Sequence, residues 1–317
     1  MKSTADSDAN HPRWFMNNLT RFLVIVWTAL AILPALRAEE KPQVIKVGVY
    51  VLNVGKFELS TGQYTMDFYL SLTSDRPIAD NSFEFMNGRA SSSDLLINEP
   101  TNKFYRIQAN LYANLSLKSY PFDRHALTIQ VEDKTNGTSK VIYQPDAANS
   151  GIDPDVIVVG WDMTGAGSTV VQHEYKTFNE IYSKFVYAVN IKRIVLTSIM
   201  KAFLPALFLV FVGLFALLLK PDKFTPRLAL NTSTLLGAVM FHLNLTSQIP
   251  PVGYLTFADK FMIVSYISLV SCLVSTIVLM SHTDHGDSAA ANRIYRISIQ
   301  TIPPLTVALY VLAFSIR

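Results

Sequence analysis

The chain has little cysteine, little charge and no motif that carries chemistry. It has 317 residues and one cysteine, Cys272, so no internal disulfide can form and nothing depends on an oxidising compartment. Charged residues make up 16% and hydrophobic ones 50%, with a mean hydropathy of +0.26, too apolar for a typical soluble domain. The net charge of +3 gives no reason to expect a nucleic-acid partner. There is no glycine-rich phosphate loop and no nucleophile motif. His125, His173 and the scattered carboxylates lack metal-ligand spacing, and His282 and His285 read as solvated loop residues. No enzyme activity, metal or cofactor is therefore expected.

What is present begins with an export signal. Residues Met1 to Asn18 are polar, Arg21 precedes the apolar run Phe22 to Leu36, and Ala38 stands before Glu39 and Glu40. A positive flank, a short apolar core and a small residue at the cut predict a signal peptide over 1–38. An uncleaved anchor helix is the alternative.

Residues 39–193 then read as an exported all-β domain. Period-two runs begin with VIKVGVYVLNVGKFEL and YTMDFYLSLTS, separated by the turn Ser60 to Gln63. Further strands are expected over Phe104–Leu117, Ala126–Glu132, Lys140–Tyr143, Val156–Trp161, Thr169–His173 and Phe185–Ile191. Many short strands with turns between them predict an antiparallel sandwich.

Residues 194–317 hold four apolar stretches, near 194–219, 226–248, 257–280 and 294–316, each long enough to span a bilayer. Lys220, Lys223 and Arg227 join the first two, and Arg293 and Arg296 open the fourth. By the positive-inside rule both basic loops are cytoplasmic, which puts the sandwich and Arg317 outside. The linker His282–Asn292 is short and polar. The second stretch is unusual, because Asn231, Thr232, Thr234, His242, Asn244 and Thr246 punctuate it. In steps of four and three, one face carries Ala229, Ser233, Leu236, Met240, Leu243 and Ser247. Such a face suits a pore wall with a hydrophobic constriction at Leu236, Met240 and Leu243. It equally suits helix packing in a membrane bundle. His242 lies beside that face and reads as a hydrogen bond to a neighbouring helix.

An exported sandwich followed by four helices, the second polar-striped, resembles the pentameric ligand-gated ion channels (the Cys-loop receptor family), prokaryotic branch. The motifs are Tyr120-Pro121-Phe122-Asp123 for the signature loop, Gly160-Trp161-Asp162, Asn190-Ile191-Lys192-Arg193 before the first span, Leu204-Pro205 within it, and Ile249-Pro250 with Tyr254 after the second. The signature loop lacks its disulfide, since Tyr112 and Ala126 stand about where animal receptors have cysteines. The family's tryptophan-containing segment has no clear counterpart between Leu72 and Tyr120.

The resemblance implies a homopentamer in a cell (inner) membrane, around a pore lined by the second helix. Inorganic ions would pass in response to a small-molecule or proton agonist, with lipid as the surrounding partner. It implies a selectivity region at Asp222, Thr225, Pro226 and Arg227. A coupling interface of Glu58, Asp123, Arg193, Pro250 and Tyr254 follows, with Glu58, Asp123 and Arg193 meeting. Tyr175, Phe178 and Tyr182 fall in the flap of the agonist pocket. They also read as ordinary sandwich aromatics. A membrane-anchored periplasmic sensor that never conducts is the alternative function.

Overall fold

The computed structural model describes residues 41–315, so the signal-peptide expectation and the last two residues lie outside them. The N-terminal half is two sheets. The first contains β1 (Gln43–Val54), β2 (Gln63–Ser74), β4 (Gly88–Glu99), β5 (Asn102–Tyr112), β7 (Val141–Pro145) and β8 (Gly151–Ile152), in the order β4-β5-β2-β1-β7 with β8 also on β1. The second is β3 (Phe83–Phe85), β6 (Arg124–Asp133), β10 (Glu180–Arg193) and β9 (Trp161–Tyr175), in that spatial order. Pairing is antiparallel except where β7 and β8 run parallel to β1.

Alternation explains the sandwich. Inward-facing Val47, Val49 and Val51 of β1 meet Phe68 and Leu70 of β2 in one core with Ile129, Val131, Phe185 and Val189 of the second sheet. Residues two apart along a strand share a face, so one alternating strand can fill one core. Expectations change at residues 156–160 and at β3, β4 and β8. Residues 156–160 are not a strand: Val156 and Val158 are buried in a loop, and β9 starts only at Trp161. Strand β4 was not expected. Its sequence GRASSSDLLINE is exposed or half-buried along its whole length, so it carries no alternation to read.

The second half is helical. Helices α1 (Val195–Ala202) and α2 (Leu204–Ala216) make the first span, broken at Phe203. Pro205 has no N–H for the carbonyl of Lys201, which accounts for the break. Helices α3 (Phe224–Thr246), α4 (Phe257–Asp284) and α5 (Ser288–Ser315) complete four spans long and apolar enough to cross a membrane. The linker expected over His282–Asn292 is mostly helix: α4 continues to Asp284 and α5 begins at Ser288. Thr256 and Asp259 close a reciprocal cap at the start of α4, with Asp259 N–H 3.2 Å from Thr256 Oγ1 and Thr256 N–H 2.8 Å from Asp259 Oδ2. Gly213 allows α2 to approach α4, since a Cβ there would lie 2.5 Å from Leu269 Cδ2.

Candidate functional site

Helix α3 is turned against the usual sense of amphipathicity. Arg227, Asn231, Thr234 and His242 turn toward the bundle. Arg227 is 0% exposed and donates to Thr276 Oγ1 at 3.0 Å and to Ser275 Oγ at 3.2 Å, both on α4. Asn231 donates to Thr276 Oγ1 at 2.9 Å and to the Cys272 carbonyl at 3.2 Å. His242 Nδ1 lies 3.0 Å from Tyr266 Oη, and its Nε2 lies 3.1 Å from Asp259 Oδ1. Lipid offers no such partners, so helices that carry polar groups satisfy them against each other.

The opposite side of α3 is left open. Ala229, Ser233, Leu236, Met240, Leu243 and Ser247 are all exposed, with Leu236, Met240 and Leu243 at 64%, 62% and 60%. Three apolar residues therefore stand in line between small and hydroxyl-bearing ones. Asp222, Thr225 and Pro226 at the other end of the helix are exposed too, and Asp222 lies 3.3 Å from Lys223. Arg227 does not join them. Its place one residue on from Pro226 turns it about 100° round the helix, onto the packed side.

The sandwich meets the bundle through the loop between β5 and β6. Asp123 is buried and takes a two-pronged contact from Arg193, Nε to Oδ1 at 2.8 Å and Nη2 to Oδ2 at 3.1 Å. The guanidinium also lies over the rings of Trp161 at 4.3 Å and Tyr120 at 5.2 Å. The third partner is His125, whose Nε2 is 2.6 Å from Asp123 Oδ2. Burial raises the Asp123 carboxyl, but the hydrogen bonds from His125 and Arg193 outweigh it and hold the group below its ordinary value. Glu58, expected in this group, pairs instead with Lys56 at 2.5 Å, because the chain turns there into an isolated bridge with Gln63. Sequence reasoning missed His125 in that role. Its position two residues after Asp123, at the start of β6, was the available signal.

The same loop docks on the α3–α4 connection. Leu117 N–H donates to Tyr254 Oη at 2.9 Å, and the amides of Phe257 and Ala258 donate to the Lys118 and Tyr120 carbonyls at 2.9 and 3.0 Å. Phe122 stacks on Phe203 with ring centres 5.7 Å apart. Pro250 is half-buried in the connection.

Asn87 was also missed. It sits in the turn between β3 and β4 and spans the two sheets. Its Nδ2 is 2.8 Å from the Thr128 carbonyl on β6 and 3.1 Å from the Tyr112 carbonyl on β5, and its Oδ1 accepts from Gln130 N–H at 3.2 Å. Tyr64 Oη donates to the same Thr128 carbonyl at 2.6 Å. Tyr112 and Ala126 line a cavity of about 760 Å³ beside Asn87.

At the far end of the sandwich, the β9–β10 hairpin carries the three expected aromatics. Tyr175 donates to Glu132 Oε2 at 3.0 Å and packs edge-on to Tyr182 at 5.4 Å. Burial, then the Glu132 contact, pushes the Tyr175 phenol up to about 12. His173 Nδ1 reaches Glu132 Oε1 at 2.6 Å. Phe178 stands alone at the tip, 74% exposed. Tyr175 and Tyr182 are thus brought together, and Phe178 is not.

No family model matches the chain. It is 21% identical over 318 residues to a proton-gated ion channel of Gloeobacter violaceus, an alignment covering 91% of this chain and 88% of the relative. A match of that extent takes in both halves. Taken with the ordered motifs, the two-sheet sandwich and the four apolar helices, it places this multi-pass membrane protein in the family of pentameric ligand-gated ion channels.

Proposed function

We propose that five copies of the chain surround an axis lined by α3, and that a stimulus on the sandwich opens this pore to inorganic ions. The observation that carries the reading is the inverted polarity of α3: its hydrogen-bonding side is spent inside the subunit, while Leu236, Met240 and Leu243 stand exposed in one line. Five such lines would make stacked apolar rings that close a narrow pore by dewetting. The sandwich and the C-terminus would face the periplasm or cell exterior from the inner membrane.

The relative is named for gating by protons. Here four histidines each pair with a carboxylate: His173 with Glu132 in the sandwich, His125 with Asp123 at the junction, His242 with Asp259 beside α3, and His282 with Asp287 at the end of α4. They favour a proton stimulus. The pair Tyr175 and Tyr182 over buried Glu132 favours a small organic cation instead, since aromatic faces and a carboxylate both attract positive charge. Current through planar bilayers containing the purified protein, stepped in pH and then exposed to amines, tests the proposal. A well-folded protein that passes no current under either stimulus would be a membrane-anchored sensor.

A further inference from the structure

Lys201 lies in the last turn of α1, on the sandwich side of the first span, and is exposed. No carboxylate pairs with it among the described residues. The acids at that end of the bundle are already engaged: Asp123 by Arg193 and His125, Asp259 by His242, and Glu58 by Lys56. A symmetric assembly of identical chains brings only further copies of these same groups. An unpaired ammonium within a membrane span is costly and marks a functional position by default.

Beside Lys201 is a cavity of about 260 Å³, bounded by Arg193, Thr197, Asn244, Gln248 and Tyr120. Two cations, two amides and the hydroxyls of Thr197, Ser198 and Tyr120 thus border one small space. From Lys201 an exposed apolar row descends the first span through Leu204, Phe208, Phe211 and Phe215, at steps of four, three and four. A cationic, donor-rich pocket above an apolar row has the polarity of an amphiphile with an anionic head.

We propose that this cavity binds the phosphate headgroup of an anionic phospholipid from the leaflet next to the sandwich, with an acyl chain along Leu204, Phe208, Phe211 and Phe215. Lys201 supplies the neutralising charge, and Thr197, Asn244 and Gln248 supply hydrogen bonds to phosphate oxygens. A zwitterionic headgroup carries its own cation and gains less from Lys201. Inorganic phosphate lacks the chain and gains nothing from the row. The site does not depend on conduction.

The test is native mass spectrometry of the full-length protein in detergent, titrated with phosphatidylglycerol or phosphatidylcholine. Phosphatidylglycerol should be retained at about tenfold lower concentration. Lys201→Gln should erase that difference, Lys201→Arg should keep it, and excess inorganic phosphate should not displace the lipid. Equal retention of the two lipids, an unchanged preference in a monodisperse Lys201→Gln protein, or displacement by phosphate would each overturn the proposal. If Lys201→Gln does not fold, Asn244→Leu and Phe208→Ala carry the test. Both should weaken phosphatidylglycerol retention, and full retention in both would refute the site.

Discussion

Arg193 and Asp123 form a two-pronged ion pair 70 residues apart in sequence, at the point where the last strand of the sandwich becomes the first helix of the bundle. The carboxylate is fully buried, and the guanidinium, 21% exposed, is held between Trp161 and Tyr120. Arg193→Ala leaves the buried charge with His125 alone. A cost of about 3 kcal/mol is expected, the lower end for a broken buried pair because Arg193 is partly solvated. Thermal unfolding checks the cost, and currents from the surviving protein check coupling. Wild-type stability and currents in Arg193→Ala would show that the pair is idle.

The pair also predicts a pH dependence. A carboxyl held below its ordinary value contributes stability that is fully present above the unfolded pKa of about 3.9 and is lost as pH falls through the folded value. The melting temperature should therefore drop as pH falls below about 4. Asp123→Asn should start lower at neutral pH and lose that part of the acid slope. An acid limb of the same steepness in both proteins would assign the loss to other carboxylates.

Asn87 ties β5 to β6 at the base of the β5–β6 loop, beside Tyr112 and Ala126. Asn87→Ala removes the donors and leaves backbone groups at the sheet junction without their partner. Such a loss costs about 1–3 kcal/mol. Asn87→Asp, which keeps the shape but has no N–H, should cost at least as much. If Asn87→Asp melted like the wild type, the hydrogen bonds would not be what holds the loop.

Leu236→Ser puts a hydroxyl at the most exposed of the three apolar positions on α3. In a five-fold constriction it should admit water and give leak current, or openings at weaker stimulus, with the oligomer intact. A folded variant with unaltered gating would move the constriction to Met240 or Leu243.

Pro226→Glu places an acid beside Thr225, where Asp222 is already occupied by Lys223. Five added carboxylates at the mouth should shift the reversal potential in asymmetric KCl toward the potassium equilibrium potential. No shift would place ion selection elsewhere along α3.

Much of this architecture is legible in the sequence because burial leaves a period. The strands β1, β2, β6 and β10 alternate, and the exposed row on α3 recurs at three and four residues. Strand β4 was hidden because no residue in it is fully buried. The end of α4 was hidden because His282, Thr283 and Asp284 are polar, although a helix can project beyond an apolar slab. Arg227 and Glu58 were misplaced for a shared reason. A charged residue near a mouth or a junction has several possible partners, and only backbone direction decides among them: α3 turns Arg227 to Ser275 and Thr276, and the turn at Gln63 leaves Glu58 with Lys56.

The polar seam between α3 and α4 restricts how α3 can move. Spinning α3 about its own axis would pull Arg227, Asn231 and His242 away from Thr276, Cys272, Tyr266 and Asp259, and would leave the buried Arg227 and Asn231 without these partners. Tilting α3 and α4 together breaks none of these bonds. The two helices therefore behave as a single lever, whose handle is the α3–α4 connection that Leu117 grips through Tyr254.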